Sequence, residues 1–403
     1  MPADLLVANS PLILTMDARS DDPLGGLRAG AIAVTDGRIA WVGPVGEAPP
    51  AREVIDASGA IVLPALVDCH THTVWAGSRS SEFERRLSGE SYTTILEEGG
   101  GILSTVRATR GADEAALAAL ATARLAAMRA RGVLTVEIKS GYGLEVDAEV
   151  RMLRAAVAAG RAADVDVIPT FLGAHAIPAE HRTDRERYVR DVIDTQLPAM
   201  VGLAHAIDVY VDRGAFTLDE GRRILEAGRA AGLAVKAHAE QVAYTGIAEV
   251  AANLGALSCD HLERIDAAGI AAMARAGTIA VLAPGAMLYL RDTPPPIAAM
   301  RAAGVRFAVA TDLNPGSSPV HDLWACATLA CVTMGLTVAE SLRGVTIEGA
   351  AALGLTDRGR IAAGMRADLV LVEPPAGEPF APGALVQHLG GIRIRRVLRA
   401  GVN

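Results

Sequence analysis

Two histidines one residue apart, His70 and His72, close the apolar run from Ile61 to Val67. Side chains alternate along an extended segment, so positions i and i+2 present two imidazoles to one space. Neutral imidazoles in that arrangement are half of a metal site, because each offers a ring lone pair. The pair reads equally as two polar residues in a loop, and on spacing alone neither reading wins.

Other residues of the same chemical kind fall at comparable places. Apolar runs at 133–138, 165–171, 206–211, 233–237, 256–260 and 305–310 lead respectively into Lys139-Ser140-Gly141-Tyr142-Gly143, Gly173-Ala174-His175, Asp212, His238, Asp260-His261 and Thr311-Asp312-Leu313-Asn314-Pro315-Gly316-Ser317-Ser318. Five of the nine histidines, together with Asp312, therefore sit where a strand-like run ends. A lone histidine at any one of these points is unremarkable, but their shared placement favours a metal site.

The elements that position them follow from the same runs. With 61–67 and 278–282 they make eight strand-like segments, alternating with Ala-rich helical stretches such as 113–130, 147–163, 185–196 and 218–231. Uniformly apolar strands are buried on both faces, as in a parallel sheet covered by helices. Eight such units predict an α/β fold, a (β/α)₈ barrel over residues 59–358, whose chemistry gathers where strands end. A doubly wound open sheet is the alternative architecture, but no Gly-rich dinucleotide fingerprint follows an early strand. Residues 1–58 hold short alternating segments and an Asp36-Gly37 hairpin turn, and 359–403 hold further strand-like runs. Each end alone would expose an apolar face, so both are expected to build one small β domain.

Composition narrows the partners. The chain has 403 residues, 51% hydrophobic and 21% charged, with a net charge of −8 and no basic run, which argues against nucleic acid. A small anionic substrate remains compatible, because local charge in a pocket can oppose the net charge. No unbroken apolar stretch reaches the ~20 residues a bilayer requires, so no membrane partner is expected. Four cysteines are no disulfide framework, and Met1-Pro2-Ala3-Asp4 opens no basic-then-apolar leader, so a cytoplasmic protein is expected.

The ordered set of strand-end residues resembles the amidohydrolase superfamily of metal-dependent hydrolases, over the whole chain, since that superfamily also carries a small β-sandwich made from both termini. The resemblance implies that His70, His72, His238 and Asp312 bind one metal ion and that His261 contacts the activated water. Zinc is the first expectation and iron the second. Two-metal members carry a modified lysine on strand 4; here that strand ends Tyr210-Val211-Asp212, so a single ion is expected.

Six segments resemble one family within it, the imidazolonepropionases: His70-Thr71-His72 with Ala76-Gly77-Ser78-Arg79, Lys139-Ser140-Gly141-Tyr142-Gly143-Leu144, Phe171-Leu172-Gly173-Ala174-His175, His238-Ala239-Glu240-Gln241, Asp260-His261-Leu262-Glu263, and Thr311 to Ser317. That family opens 4-imidazolone-5-propanoate to N-formimidoyl-L-glutamate in histidine breakdown. The likeness implies a small-molecule substrate and a homodimer.

For such a substrate, Arg79 would hold the propanoate through its fixed fork of donors. Tyr142 would offer a hydroxyl and a flat face, His175 would donate to ring or carbonyl atoms, and Asn314, Gly316 and Ser317 would offer hydrogen bonds. Gln241 stands where the family carries Glu or Gln; glutamine is no base, so proton transfer falls to Asp312 and His261. The plainer readings are a solvated arginine, a packing tyrosine, a loop histidine and a Pro-Gly turn. His181, His205, His321, His388, Cys69 and Glu240 receive structural readings. A purine or pyrimidine deaminase, another cyclic-amide hydrolase, or a catalytically silent binding protein on the same barrel are the competing functions.

Overall fold

A computed structural model describes residues 2–18, 21–90, 94 and 98–402. The eight expected barrel strands are present as β6 (Leu66–Asp68), β7 (Val133–Lys139), β8 (Asp166–Ala174), β9 (Ala206–Val211), β10 (Ala234–Ala239), β11 (Ser258–His261), β12 (Ile279–Leu282) and β13 (Phe307–Val309). They pair in parallel in sequence order, with helices between them. Uniform burial explains their apolar composition: every residue of β7, β11 and β12 is buried, and the helices cover the outer side.

Strands β6 and β13 share no ladder and stand at the two ends of that order. The barrel closes one step further on, where Thr71 bridges Leu313 in parallel. There the Asp312 N–H donates to the His70 carbonyl (3.0 Å), and the His72 N–H donates to the Leu313 carbonyl (2.9 Å). The Asp68 carboxylate adds two bonds across the same seam, accepting from the Thr311 N–H (3.1 Å) and Oγ1 (2.6 Å). Three of the four residues expected from sequence as ligands, His70, His72 and Asp312, are thus carried by the segments that shut the barrel, and His238 stands on β10.

The termini form a second sheet of β1 (Ala3–Leu14), β2 (Gly26–Thr35), β3 (Arg38–Pro44), β4 (Ala51–Asp56), β5 (Ile61–Pro64), β14 (Leu369–Glu373) and β15 (Arg393–Leu398). β1 is irregular between Val7 and Ser10, with Asn9 at φ 63°, and pairs β4 over its first half and β5 over its second. This arrangement encloses a core of its own, including Val7, Ile13, Ile32, Val62, Leu369 and Leu371. The α/β barrel with a terminal β unit is as the sequence leads one to expect. One strand differs: the run 61–67 is two strands, broken at Ala65. Ile61–Pro64 pairs with β1 and β14 in the terminal sheet, and only Leu66–Asp68 joins the barrel. A continuous apolar run hides the break because both halves are fully buried.

Asp166, at the start of β8, ties the two sheets together. It pairs with Arg358 (2.8 Å), Arg366 (2.7 Å) and Arg399.

Helix–barrel packing depends on small residues. In the helix Leu218–Ala230, a Cβ added at Gly221 would lie 2.3 Å from Val211 Cγ2, and one at Gly228 would lie 2.4 Å from Ile207 Cγ2. Alanine gains about 1 kcal/mol over glycine in helix propensity, whereas overpacking a filled core costs about 1–3 kcal/mol. Packing should win. Gly228→Ala is expected to lower the thermal midpoint, and a raised midpoint would mean that the helix has room to retreat from β9.

Candidate active site

The inward faces of β7, β9, β10 and β11 carry charged residues beneath the strand ends. Lys139 Nζ lies 2.9 Å from Glu137, 2.7 Å from Asp208 and 3.6 Å from Asp260, all fully or almost fully buried. Lys236 Nζ joins them 3.3 Å from Glu137 and donates to the Cys69 carbonyl (3.1 Å). The three carboxylates hold Lys139 in its charged form, raising its pKa although burial opposes them.

The histidines stand on this layer. His70 Nδ1 is 2.5 Å from Asp260 Oδ2, and His238 Nδ1 is 3.1 Å from Asp208 Oδ2. A ring nitrogen facing a carboxylate carries the proton, so both Nε2 atoms turn lone pairs into the site. Burial keeps His70, His72 and His261 neutral, pushing each pKa well below its usual value, with neighbouring rings and Lys139 adding to the effect. Burial pushes the Asp312 carboxyl up to about 7.

These groups converge. Asp312 Oδ1 lies 3.3 Å from His70 Nε2 and 3.5 Å from His72 Nε2, and His72 Nε2 lies 3.4 Å from His238 Nε2. Four ligands held tetrahedrally at 2.0–2.1 Å from an ion stand about 3.3 Å apart, so these spacings suit a divalent metal. His70 Nε2, His72 Nδ1 and His261 Nδ1 are buried with no hydrogen-bond partner among the described residues. Charge gives a second test of fit. The buried carboxylates Glu137, Asp208, Asp260 and Asp312 outnumber the ammonium groups of Lys139 and Lys236, an excess of negative charge that a cation would relieve. His261 joins His70 and Asp312 in a second cluster of ligand type. A third set, His70 with Glu137 and Asp260, has Lys139 Nζ against both carboxylates.

Around this floor lie residues borne on loops. His175 stacks on His72 with centroids 4.9 Å apart, and Tyr142 lies 5.4 Å from His175 and 5.8 Å from His72. The Tyr142 loop is folded by buried Glu149, whose carboxylate accepts the N–H groups of Gly141, Gly143 and Leu144. Gly141, at φ +101°, leaves room for His175, since a Cβ there would lie 2.9 Å from His175 Nδ1. His175 Nδ1 is 3.0 Å from the Gly141 carbonyl and must donate to it. Burial lowers the His175 pKa to about 3, so the ring is neutral and its Nε2 is an acceptor. That reverses the donor role expected from sequence.

Arg79 precedes the helix Ser80–Leu87, with Nη1 so close to Gly316 that a Cβ there would lie 2.3 Å away. The loop leading to it is held by Arg124, which stacks on Trp75 and donates to the Thr73 and Trp75 carbonyls. Asn314 is spent on its own loop: Nδ2 donates to the Asp312 carbonyl, and Oδ1 accepts from the Gly316 and Ser317 N–H groups. Ser317 Oγ also bonds Asn314. Gln241 is buried beyond β10, three residues past His238, and makes no hydrogen bond to another described residue. Glu240, at φ 50°, accepts from Thr245 and the Ala248 N–H, a local structural task.

The sequence of residues 82–402 matches the model of the Amidohydrolase family. The chain belongs to the amidohydrolase family. An imidazolonepropionase of Acidiphilium cryptum is 53% identical to this amidohydrolase over 354 residues, covering 86% of this chain and 88% of that one. One of Methylobacterium nodulans is 48% identical over 404 residues, covering 98% of this chain and all of its own. Among solved structures, a zinc-bound adenosine deaminase of Xanthomonas campestris superposes with a TM-score of 0.76 at 20% identity, covering the whole of this chain and 92% of that one. A mutant atrazine chlorohydrolase of Arthrobacter aurescens, complexed with zinc and atraton, gives 0.70 at 17%, covering 98% and 94%. At such identities these two likenesses concern the fold.

Sequence reasoning gives no role to Glu137, Asp208 or Lys236, and names Asp260 only beside His261 at a strand end. The available signal was a charged residue inside an otherwise apolar run, on the same face as a strand-end residue.

Two expectations follow. Asp260→Asn should weaken metal affinity about 10–100-fold, read by competition with a chelator; unchanged affinity would remove Asp260 from the orientation of His70. With Asp312 near 7, the metal-free protein keeps its carboxyl protonated below that pH and must shed the proton to bind a cation. Calorimetry in buffers of differing ionisation heat should show proton release that is largest in acid and dwindles as pH rises through 7. His70, His72 and His261, kept neutral by burial, add nothing to it.

Proposed function

We propose that this amidohydrolase is an imidazolonepropionase, hydrolysing the ring C–N bond of 4-imidazolone-5-propanoate to N-formimidoyl-L-glutamate in L-histidine degradation. The observation that carries this reading is identity of 48–53% to imidazolonepropionases over 86–98% of the chain. The rim supports it, because Arg79 offers a guanidinium against Gly316, on the loop that follows Asp312, as an anionic tail requires.

In this reading His70, His72, His238 and Asp312 hold one ion per chain, zinc by first preference and iron by second. Lys139 already supplies a cation among the carboxylates below, and β9 offers no lysine to bridge a second ion. The bound metal lowers the pKa of water from 15.7 towards ~7 and polarises a carbonyl. Arg79 binds the propanoate, with Gly316 leaving room for the guanidinium. Tyr142 and His175 bracket the ring, His175 Nε2 accepting a ring N–H. Gln241 orients the ring through its amide, and Asn314 and Ser317 set the loop that presents Gly316. Asp312 takes a proton from the attacking water as the new C–O bond forms. His261 donates to the oxyanion, and Asp312 returns its proton to the ring nitrogen as the C–N bond breaks.

The same reading carries a cytoplasmic homodimer. No helix of the described residues is long and apolar enough to cross a membrane.

Purified metal-loaded protein should consume 4-imidazolone-5-propanoate, seen as loss of ring absorbance, and leave purines and pyrimidines untouched. Turnover of a nucleobase instead would overturn the substrate and keep the family. Losing hydrogen bonds to a charged group costs about 1.5–3 kcal/mol, so Arg79→Met should raise KM about 10–100-fold with little change in kcat.

A further inference from the structure

Arg79 does not reach the rim alone. Its Nε donates to Glu82 Oε2 at 2.8 Å, and its Nη2 lies 2.8 Å from the same carboxylate. The other oxygen, Glu82 Oε1, accepts the Gly101 N–H (3.0 Å) and the Ser104 hydroxyl (3.2 Å). Both side chains are largely buried, at 14% and 12% exposure, so this pair is shielded from the water and salt that weaken surface ion pairs.

The geometry sorts the five guanidinium donors. Glu82 takes the Nε edge, and Nη1 is left against Gly316, on the last βα loop of the barrel. An arginine held by one edge keeps the other for a planar bidentate partner. Without Glu82, the side chain has several rotatable bonds and no other acceptor among its described hydrogen bonds, so its fork would be free to leave Gly316. Glu82 also joins two pieces of chain, because Gly101 and Ser104 open the helix Ile102–Arg110.

We propose that Glu82 is the positioning residue for substrate-carboxylate recognition: it orients Arg79 from behind and sets the preference for an anionic tail, without touching substrate. This rests on the reading that Arg79 binds the propanoate.

The test is steady-state kinetics on metal-loaded protein with two substrates, the propanoate and its uncharged propanamide analogue, for Arg79→Met, Glu82→Ala, Glu82→Gln and the double variant Arg79→Met with Glu82→Ala. Glu82→Ala is expected to raise KM for the propanoate about tenfold with kcat within about twofold. It should leave kcat/KM for the propanamide unchanged and add nothing in the Arg79→Met background. Glu82→Gln keeps one acceptor of the same shape and should fall between wild type and Glu82→Ala. Equal losses on both substrates, a loss confined to kcat, or additivity with Arg79→Met would overturn the positioning role. An unchanged KM in both Glu82 variants, with Arg79→Met defective, overturns this inference alone. An unchanged KM in Arg79→Met overturns the reading beneath it. If Glu82→Ala is not recovered folded, Glu82→Gln decides on the same two substrates.

Discussion

Five charged side chains buried in one layer of the barrel constrain everything above them. An ion taken out of water costs several kcal/mol unless partners replace its hydration. Glu137, Lys139, Asp208, Lys236 and Asp260 meet that demand mutually, with contacts from 2.7 to 3.6 Å. The layer is one positive charge short of neutral, and Asp312 above it deepens the deficit. The site is therefore built to be completed by a cation, and burial drives the Asp312 carboxyl towards its neutral form. Asp208 and Asp260 act in both roles, as counter-charges to Lys139 and as acceptors that fix the tautomers of His238 and His70. Charge balance and ligand orientation are thus one arrangement.

Barrel closure is bound into the same arrangement. His70 and His72 follow the first barrel strand, Asp312 follows the last, and the backbone bonds between these segments form the seam. In a parallel barrel the first and last strands are far apart in sequence, 243 residues in the case of Asp68 and Thr311. The separations of 3.3–3.5 Å between Asp312 and the two histidines depend on that register. A slip of one residue would turn every side chain of a strand to the opposite face, so the seam bonds specify the site as well as the fold.

The chemistry at strand ends was legible because it obeys two simple periodicities: alternation along each strand and alternation of strand with helix. His70, His72, His238, His261 and Asp312 converge as those rules imply. The charged layer was not legible, because Glu137 and Asp208 lie inside apolar runs, where nothing local tells a functional charge from a chance one. Lys139 is legible at the end of strand 2, but its charge partners on strands 4 and 6 reach it only because the closed barrel brings alternate strands to one inner layer. The division of 61–67 failed for a related reason: burial on both faces erases the pattern that separates one strand from two. Loop residues depend on partners that neither periodicity reveals. The polarity of His175 follows from a carbonyl 34 residues earlier, and the task of Asn314 from backbone donors in its own turn.

Floor and rim answer to different physics. The floor is carried on strands, buried and charge-balanced, and any change there disturbs several partners at once. The rim is carried on loops, each folded by its own local device: Glu149 beneath Tyr142, Arg124 beneath the segment before Arg79, and Asn314 within the last loop. A loop with its own device can be altered without moving the His/Asp cluster. Yet the rim is not independent in position, since Arg79 and Gly316 sit on the first and last loops and meet only because the seam joins their strands. The contact that would read the substrate's tail and the contact that would hold the metal are two heights of the same closure. Changing specificity on this barrel therefore means rewriting side chains above the seam while leaving its backbone register intact.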